Sequence, residues 1–396
     1  MDLQPFFDSV ASKDKNGYAS VPGGEITLYG TAYALLTKWY LHQMDQAPEE
    51  MLKFILDCQD ETSGYFVGPE LKKYIDNGVH DREHLMMHLT CTVLPVLSEF
   101  GQKPKYPLLF AHEFCDLTYL KKWLDKRDLT KAWLEGNNLL FIGQFLVYLR
   151  DEEKYSGAEA ALDLWFQWLD EHIDPATGLW GTNGYCSAFD AMYGGYHQLL
   201  VYYYENRKIN APKALVDTVL SLQHLDGGFA LSGGGGACED VDAVDILVNL
   251  YKLQDYRRAD IRFALRKCLS LILSIQQPDR GFPYKLNQNQ SHMGIPGTQA
   301  GKNISTTFAT WFRVHTLALI AEVLTDTDIR QINFRFNSRL SMGWHRPWDK
   351  SQHLIDVQAT RLEKKYLFQF LYFATLNLFL GIFGKIGRLL RKILRK

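Results

Sequence analysis

The chain has 396 residues, 46% of them apolar and 22% charged, with 13 Pro and 30 Gly; this is ample material for a large core and excludes a disordered or low-complexity protein. Lys and Arg number 43 against 45 Asp and Glu, a formal net charge of -2, so the basic excess that draws a protein to a phosphate backbone is missing and nucleic acid is not an expected partner. The 6 cysteines form no C-x-x-C pair, and the start MDLQPFFDSVASKDK lacks the basic-then-apolar run of a signal peptide, which leads to the expectation of a cytoplasmic protein with reduced thiols.

From the N-terminus, the first strong element is a largely apolar helix, ITLYGTAYALLTKWYLHQ (26–43), followed by an amphipathic one ending in FILDCQDETSGYF (54–66). That pair then recurs. Apolar helices with polar starts follow at HDREHLMMHLTCTVLPVL (80–97), EGNNLLFIGQFLVYL (135–149), YCSAFDAMYGGYHQLLVYYY (185–204), CEDVDAVDILVNLYKL (238–253) and NISTTFATWFRVHTLALIAEVL (303–324). Between them lie amphipathic phrases ending in a turn, a Gly and an aromatic ring: FQWLDEHIDPATGLW (166–180), VLSLQHLDGGF (219–229), ILSIQQPDRGF (272–282), and a degraded copy around Trp123. The step is roughly 50 residues, the length of a repeat unit. Helices apolar all round are buried and amphipathic ones cover them, so each unit reads as a hairpin of one inner and one outer helix.

After the repeats, SMGWHRPWDK (341–350) reads as a cover over the ring. Residues 366–384 carry no charge, and KIGRLLRKILRK behind them sets Ile386, Leu389, Leu390, Ile393 and Leu394 on one helical face, with Lys385, Arg388, Arg391, Lys392, Arg395 and Lys396 opposite. Such a helix lies in the headgroup plane, each cation near anionic lipid contributing about 1 kcal/mol. A span would have to translocate those charges.

The Gln, Gly and aromatic pattern at the outer-helix ends, sharpest at Gln223 to Phe229 and Gln276 to Phe282, resembles the QW-type repeat of the terpene cyclase and protein prenyltransferase superfamily. The resemblance covers roughly residues 26 to 325. It implies an all-α fold, an α/α toroid, that is, a closed ring of helical hairpins with inner and outer helices, taken here over residues 1–350; the pattern of the tail itself adds a C-terminal amphipathic, membrane-associating helix over 351–396. Polar residues at the inner-helix starts then converge on one mouth of the ring.

At one such start, GGGGACEDVDAVDIL places Glu239, Asp240, Asp242 and Asp245 within two turns, more acids than capping a helix requires. Asp240-Val241-Asp242-Ala243 resembles the DxDD motif of class II terpene cyclases, whose middle Asp is the protonating acid; that position is Asp242. Ala243 stands where the family has its last Asp, and Asp245 sits further along the helix. The chemistry needs a carboxylic acid kept protonated by burial and like-charge neighbours, which Asp240 and Asp245 supply. The zinc site of protein prenyltransferase beta subunits, an Asp, a Cys two residues on and a distant His, is not reproduced: Cys238 precedes Asp240, and the later helix offers Thr306, Thr307 and Thr310, with His315 beyond them.

Other inner-helix starts supply substrate-binding candidates. His80, His84 and His88 fall near one helical face, as a hydrogen-bonding cluster or a metal site; Glu135, Asn137 and Asn138 open the next helix, and Asp190, Tyr193, Tyr196 and His197 the one after. Phe308, Trp311 and Phe312 offer rings whose π faces stabilise a cation by roughly 0.5 to 2 kcal/mol each. No cofactor is expected, with Mg²⁺ needed only if the substrate carries a diphosphate. The expectation is a membrane-associated terpene cyclase-like enzyme, peripheral on the inner membrane face. It would cyclise an isoprenoid or other lipidic small molecule by acid initiation at Asp242, with Asp240 and Asp245 as neighbours. Glu239, Asp190, Tyr193, His197, His84, His88, Trp311 and Phe308 would line its substrate site. Two alternatives stand beside it: a carbohydrate-active toroid whose acids work across a glycosidic bond, and a zinc-less prenyltransferase-like or non-catalytic binding protein.

Overall fold

The computed structural model describes residues 1–14, 16–72, 74, 81–184 and 186–346. His80, residues 347–350 of the expected cover and the whole expected tail, 351–396, lie outside the described residues. Among those described, no helix is long and apolar enough to cross a membrane.

The chain forms α1 (Gln4–Val10), α2 (Leu28–Tyr40), α3 (Glu49–Asp57), α4 (Pro69–Lys72), α5 (Arg82–Glu99), α6 (Leu117–Leu124) and α7 (Ala132–Tyr148). It continues through α8 (Ala158–His172), α9 (Ala188–Tyr204), α10 (Pro212–Ser221), α11 (Ala237–Leu253), α12 (Arg258–Ser274) and α13 (Thr307–Ala321). The apolar segments are α2, α5, α7, α9, α11 and α13. Several begin where a side-chain oxygen takes up an open first-turn donor: Thr27 accepts from the Gly30 N–H at 2.8 Å, Asp81 from His84 at 2.7 Å, Ser187 from Asp190 at 3.0 Å and Thr306 from Ala309 at 3.0 Å. Each packs on the next, and α13 packs back on α2. The inner ring is therefore closed, and the fold is the α/α toroid the repeats imply. The amphipathic helices α6, α8, α10 and α12 cover it; α12 buries Ile261, Ala264, Leu265, Cys268, Leu269 and Ile272, the three-and-four spacing of one helical face.

The repeat signature has a mechanical cause. Gln223 donates through Nε2 to the Gly227 carbonyl at 2.9 Å, within its own turn, and to the Ala264 carbonyl at 2.8 Å on the next outer helix. Gln59 does the same with Gly64 and Tyr106. The aromatic that ends the phrase then offers its backbone N–H to an inner helix: Phe66 to Thr90 at 2.9 Å, Phe229 to Asp240 at 2.7 Å and Phe282 to Thr310 at 3.0 Å. One Gln thus fastens neighbouring repeats, and one N–H fastens outer turn to inner helix.

Inner helices α7 and α9 cross where Gly136 faces Gly194. A Cβ on Gly194 would run into the Ala132 carbonyl, and one on Gly136 into the Gly194 backbone. Gly194→Ala is expected to lower stability by about 1–3 kcal/mol, the cost of overpacking a close contact, readable as a lower thermal midpoint.

Strands are few among the described residues: a two-residue antiparallel pair, β1 (Ile173–Asp174) with β2 (Leu179–Trp180), and the extended β3 (Asn337–Met342). The last described stretch crosses the C-terminal mouth of the ring. The Arg335 N–H donates to the Tyr40 carbonyl at 2.9 Å at the end of α2. Ser338 N–H donates to Glu99 at 2.7 Å, Arg339 pairs with Glu152 at 2.6 Å, the Trp344 ring packs 5.1 Å from that of Tyr204, and His345 Nε2 lies 3.1 Å from Lys252 Nζ. Residues 335–346 therefore cover that mouth, reaching the ends of α2, α5, α9 and α11 and the turn after α7.

Candidate functional site

With the C-terminal mouth covered, the polar inner-helix starts define the other one. Helix α11 has Gly236 at its N-cap position and no side-chain cap, so its first turn is satisfied from within. Asp240 reaches back, accepting from the Gly236 N–H at 3.1 Å through Oδ2 and from Phe229 through Oδ1. The same carboxylate pairs with Arg313 of α13 at 2.5 Å, both side chains fully buried, and Arg313 donates on to the Tyr284 carbonyl at 3.0 Å. Asp240 thus holds the post that Thr90 and Thr310 hold in other repeats. It was expected in the catalytic set; here it is a structural anchor whose charge is spoken for.

Asp242 and Asp245 are different. Both are buried, and Oδ2 of each has no hydrogen-bond partner; Asp245 Oδ1 accepts from Asn249 Nδ2 at 3.0 Å. Burial, then the charges of Glu239, Asp245 and Asp240, hold the Asp242 carboxyl well above the usual carboxylate range. Burial pushes Asp245 up to about 8, against the pull of Asn249 and Lys252. Glu239 lies nearer the mouth, accepts from the Tyr284 hydroxyl at 2.5 Å and is likewise raised by burial. Asp245 influences the Tyr40 hydroxyl on α2 and those of Tyr196 and Tyr203 on α9. Helix α9 is a ring neighbour of α11, and α2 lies further round the ring. The arrangement can hold a carboxylic acid neutral inside the ring of inner helices.

The remaining expected residues divide. Asp190 is half-buried and serves the α9 start, sharing 2.9 Å and 3.0 Å hydrogen bonds with Ser187. Tyr193 clamps the turn after α10, donating to the Phe229 carbonyl at 3.0 Å and accepting from the Leu231 N–H at 3.0 Å. His197 is bonded through Nδ1 to the Tyr193 carbonyl at 2.7 Å, and burial lowers its pKa to about 4. Trp311 lies deeper than a mouth residue: its ring packs 4.5 Å from Tyr40 and 5.8 Å from His315, and a Cβ on Gly343 of the cover would meet it at 2.7 Å. These four are engaged in holding the fold. His84, His88 and Phe308 do gather at the mouth. His84 Nδ1 is 2.8 Å from Asn138 Oδ1, Asn138 donates to Glu135 at 3.0 Å, and Glu135 pairs with Arg127 at 2.9 Å. His88 Nδ1 is 2.9 Å from the Tyr29 hydroxyl.

Sequence reasoning missed His292, whose buried ring stacks 4.2 Å from Phe308 and sits 4.8 Å from Tyr29 and 5.2 Å from His88. It comes from a loop, where no periodicity marks it. Arg313 was also missed, although one cation in the apolar run TFATWFRVHTLALIA must be paired if buried. A zinc set does not assemble: Asp240 belongs to Arg313, His315 Nδ1 is 3.0 Å from the Tyr40 hydroxyl, and among the described residues no three His, Cys, Asp or Glu side chains converge on one point.

A closed ring of paired helices with acids at one mouth defines the class, and a family model agrees. The prenyltransferase alpha-alpha toroid domain matches residues 25–105 and 117–301, and the chain belongs to that family. No curated protein matches it. Among solved structures, a polysaccharide lyase is similar at 11% identity, over 75% of this chain and 90% of the lyase, with a TM-score of 0.44.

Proposed function

We propose that the protein is a terpene cyclase-like enzyme that starts the cyclisation of an isoprenoid by proton transfer from Asp242. One observation carries the reading: a lumen carboxyl that is buried, free of hydrogen bonds at Oδ2 and held neutral by burial and three acidic neighbours. In that state it adds its proton to an alkene carbon, leaving a carboxylate and a carbocation. The rings of Tyr33, Phe308 and Phe312, 5.5 Å and 4.8 Å apart along the chain of contacts, offer π faces to the migrating charge. Loss of a proton from the last cation yields an isomer of the substrate. The uncharged and basic stretches of 366–396 support a further part of the reading, attachment to the inner membrane face, where a polyprenyl chain partitions.

A second reading, action on a glycan or lipid-linked saccharide, has the His84, Asn138 and Glu135 chain in its favour, since such linked polar groups suit a hydroxylated ligand. The experiment separates the two. Full-length protein is incubated with isoprenoids with and without a diphosphate, with and without Mg²⁺, and with a panel of glycans, and the products are weighed by mass spectrometry. The first reading expects products isomeric with an isoprenoid substrate; cleaved glycan with every isoprenoid unchanged would replace it by the second.

A further inference from the structure

An acid that protonates its substrate must regain a proton before the next turnover, and at its own mouth the substrate stands in the way. The lumen offers another direction. Asp242, Asp245, Asn249 and Lys252 follow steps of three, four and three residues and so share one face of α11. They run about 15 Å down the helix, at 1.5 Å per residue. On α9, which packs against α11, Tyr196 and Tyr203 are seven residues apart on one face, and the Asp245 charge acts on both. The polar atoms along this stripe are buried without partners: Asp242 Oδ2, Asp245 Oδ2, Asn249 Oδ1 and the hydroxyls of Tyr196 and Tyr203. Each such group costs about 1–3 kcal/mol unless something hydrogen-bonds to it, and ordered water is the ordinary remedy in a polar interior.

The stripe ends on a cluster that meets solvent. Lys252 Nζ is 2.7 Å from Glu322 and 3.1 Å from His345 Nε2. The lysine side chain is 4% exposed and that of Glu322 33%. This cluster lies at the covered C-terminal mouth, on the far side of the lumen from Glu239 and the histidines.

We propose that this stripe is a proton relay, in which Asp245, Tyr196 and Tyr203, bridged by water that Asn249 helps to position, connect Asp242 to the Lys252, Glu322 and His345 cluster at the C-terminal mouth. The inference rests on Asp242 being the acid. In the relay, the Asp242 carboxylate takes a proton passed from Asp245; Asp245 is refilled through the bridged hydroxyls from Lys252; and Lys252 is reprotonated from solvent by way of Glu322. One proton enters at the surface for each one handed to substrate. The titratable groups around Asp242 are Glu239, Asp240 and Asp245 on its own helix, Cys238 beside them, Tyr193 and Tyr196 on α9 and Tyr284 from the following loop. None of these, apart from Asp245 and Tyr196, leads toward the far mouth.

The test reads the acid directly. Full-length protein is saturated with phytanol, an isoprenoid alcohol that fills the mouth but has no alkene to protonate, and moved into D₂O, and the infrared band of its protonated carboxyls, assigned with Asp242→Asn, is followed as it exchanges. Asn249→Leu and, as the milder change, Tyr203→Phe are expected to slow the exchange of the Asp242 band by about tenfold or more, a barrier rise of about 1.4 kcal/mol. Tyr202→Phe, whose hydroxyl instead donates to Asp170 at 2.7 Å, is expected to leave it unchanged. A merely structural role would loosen the core and speed exchange, so the sign decides. A band present in all variants and exchanging at the parent rate overturns the relay and leaves the acid standing; no protonated band at Asp242 removes the acid and the relay together.

Discussion

Asp242→Asn is expected to reduce turnover by at least about 10²–10⁴-fold, the usual contribution of a general acid, while the toroid remains folded. Asn matches the carboxyl in shape and fills the same buried place, but has no proton of useful acidity to give. The companion change Asp245→Asn is expected to keep the first proton transfer, because the donor remains, and to slow repeated turnover, because the group that returns a proton to Asp242 is gone. Stability gives an independent reading. A carboxyl whose folded pKa is raised contributes stability that is fully present below its unfolded value, near 3.9, and is lost as pH rises through the folded value. For Asp245 that window runs from about 4 to about 8, with a slope of at most about 1.4 kcal/mol per pH unit for one proton. Resistance of the parent to denaturation should therefore fall from pH 5 to pH 8, and Asp245→Asn should flatten the curve. Because Asp242 and Asp245 interact, the parent curve reports the pair. Equal slopes in parent and variant would show that Asp245 is not held neutral, and the pair would lose one of its two protonated members.

The toroid was legible in the sequence because its cause is local. Each Gln has a carbonyl to reach four or five residues on, each turn needs its Gly, and each inner helix must be apolar because it is buried on every side. The placement of the acids at a ring mouth was legible for the same reason, since a helix start is a sequence feature. Their separate roles were not. Asp240 and Asp242 stand two residues apart in one acidic run, yet one is an ion-paired anchor and the other a buried acid without a partner. The difference comes from Arg313, 73 positions away, and from the Phe229 N–H. Tyr193 and Trp311 were likewise read from their helix positions, while what decides their work is a turn from another repeat and the segment covering the far mouth. Comparing repeats would have exposed Asp240: it stands where Thr90 and Thr310 stand, and those residues do no more there than accept a backbone hydrogen bond.

The anchor carries the second large expected effect. Arg313→Leu should destabilise the protein by about 3–5 kcal/mol, the cost of leaving one member of a buried ion pair without the other. The loss has two parts. Asp240 would keep the Phe229 and Gly236 N–H donors but lose the cation that neutralises it, and the Tyr284 carbonyl would lose its donor. Asp240→Thr alone should cost a similar amount, because Arg313 would then be the buried charge without a counterion. Combining Asp240→Thr with Arg313→Leu should cost less than the two single changes together, since Thr still accepts the Phe229 N–H as Thr90 and Thr310 do for Phe66 and Phe282 and no charge remains to be solvated. Chemical denaturation of the single and double variants measures that coupling. If the double variant proves as stable as the parent, the ion pair is dispensable to the fold, and the reason for a charge here must be sought in Asp242, whose pKa the same Asp240 helps to raise.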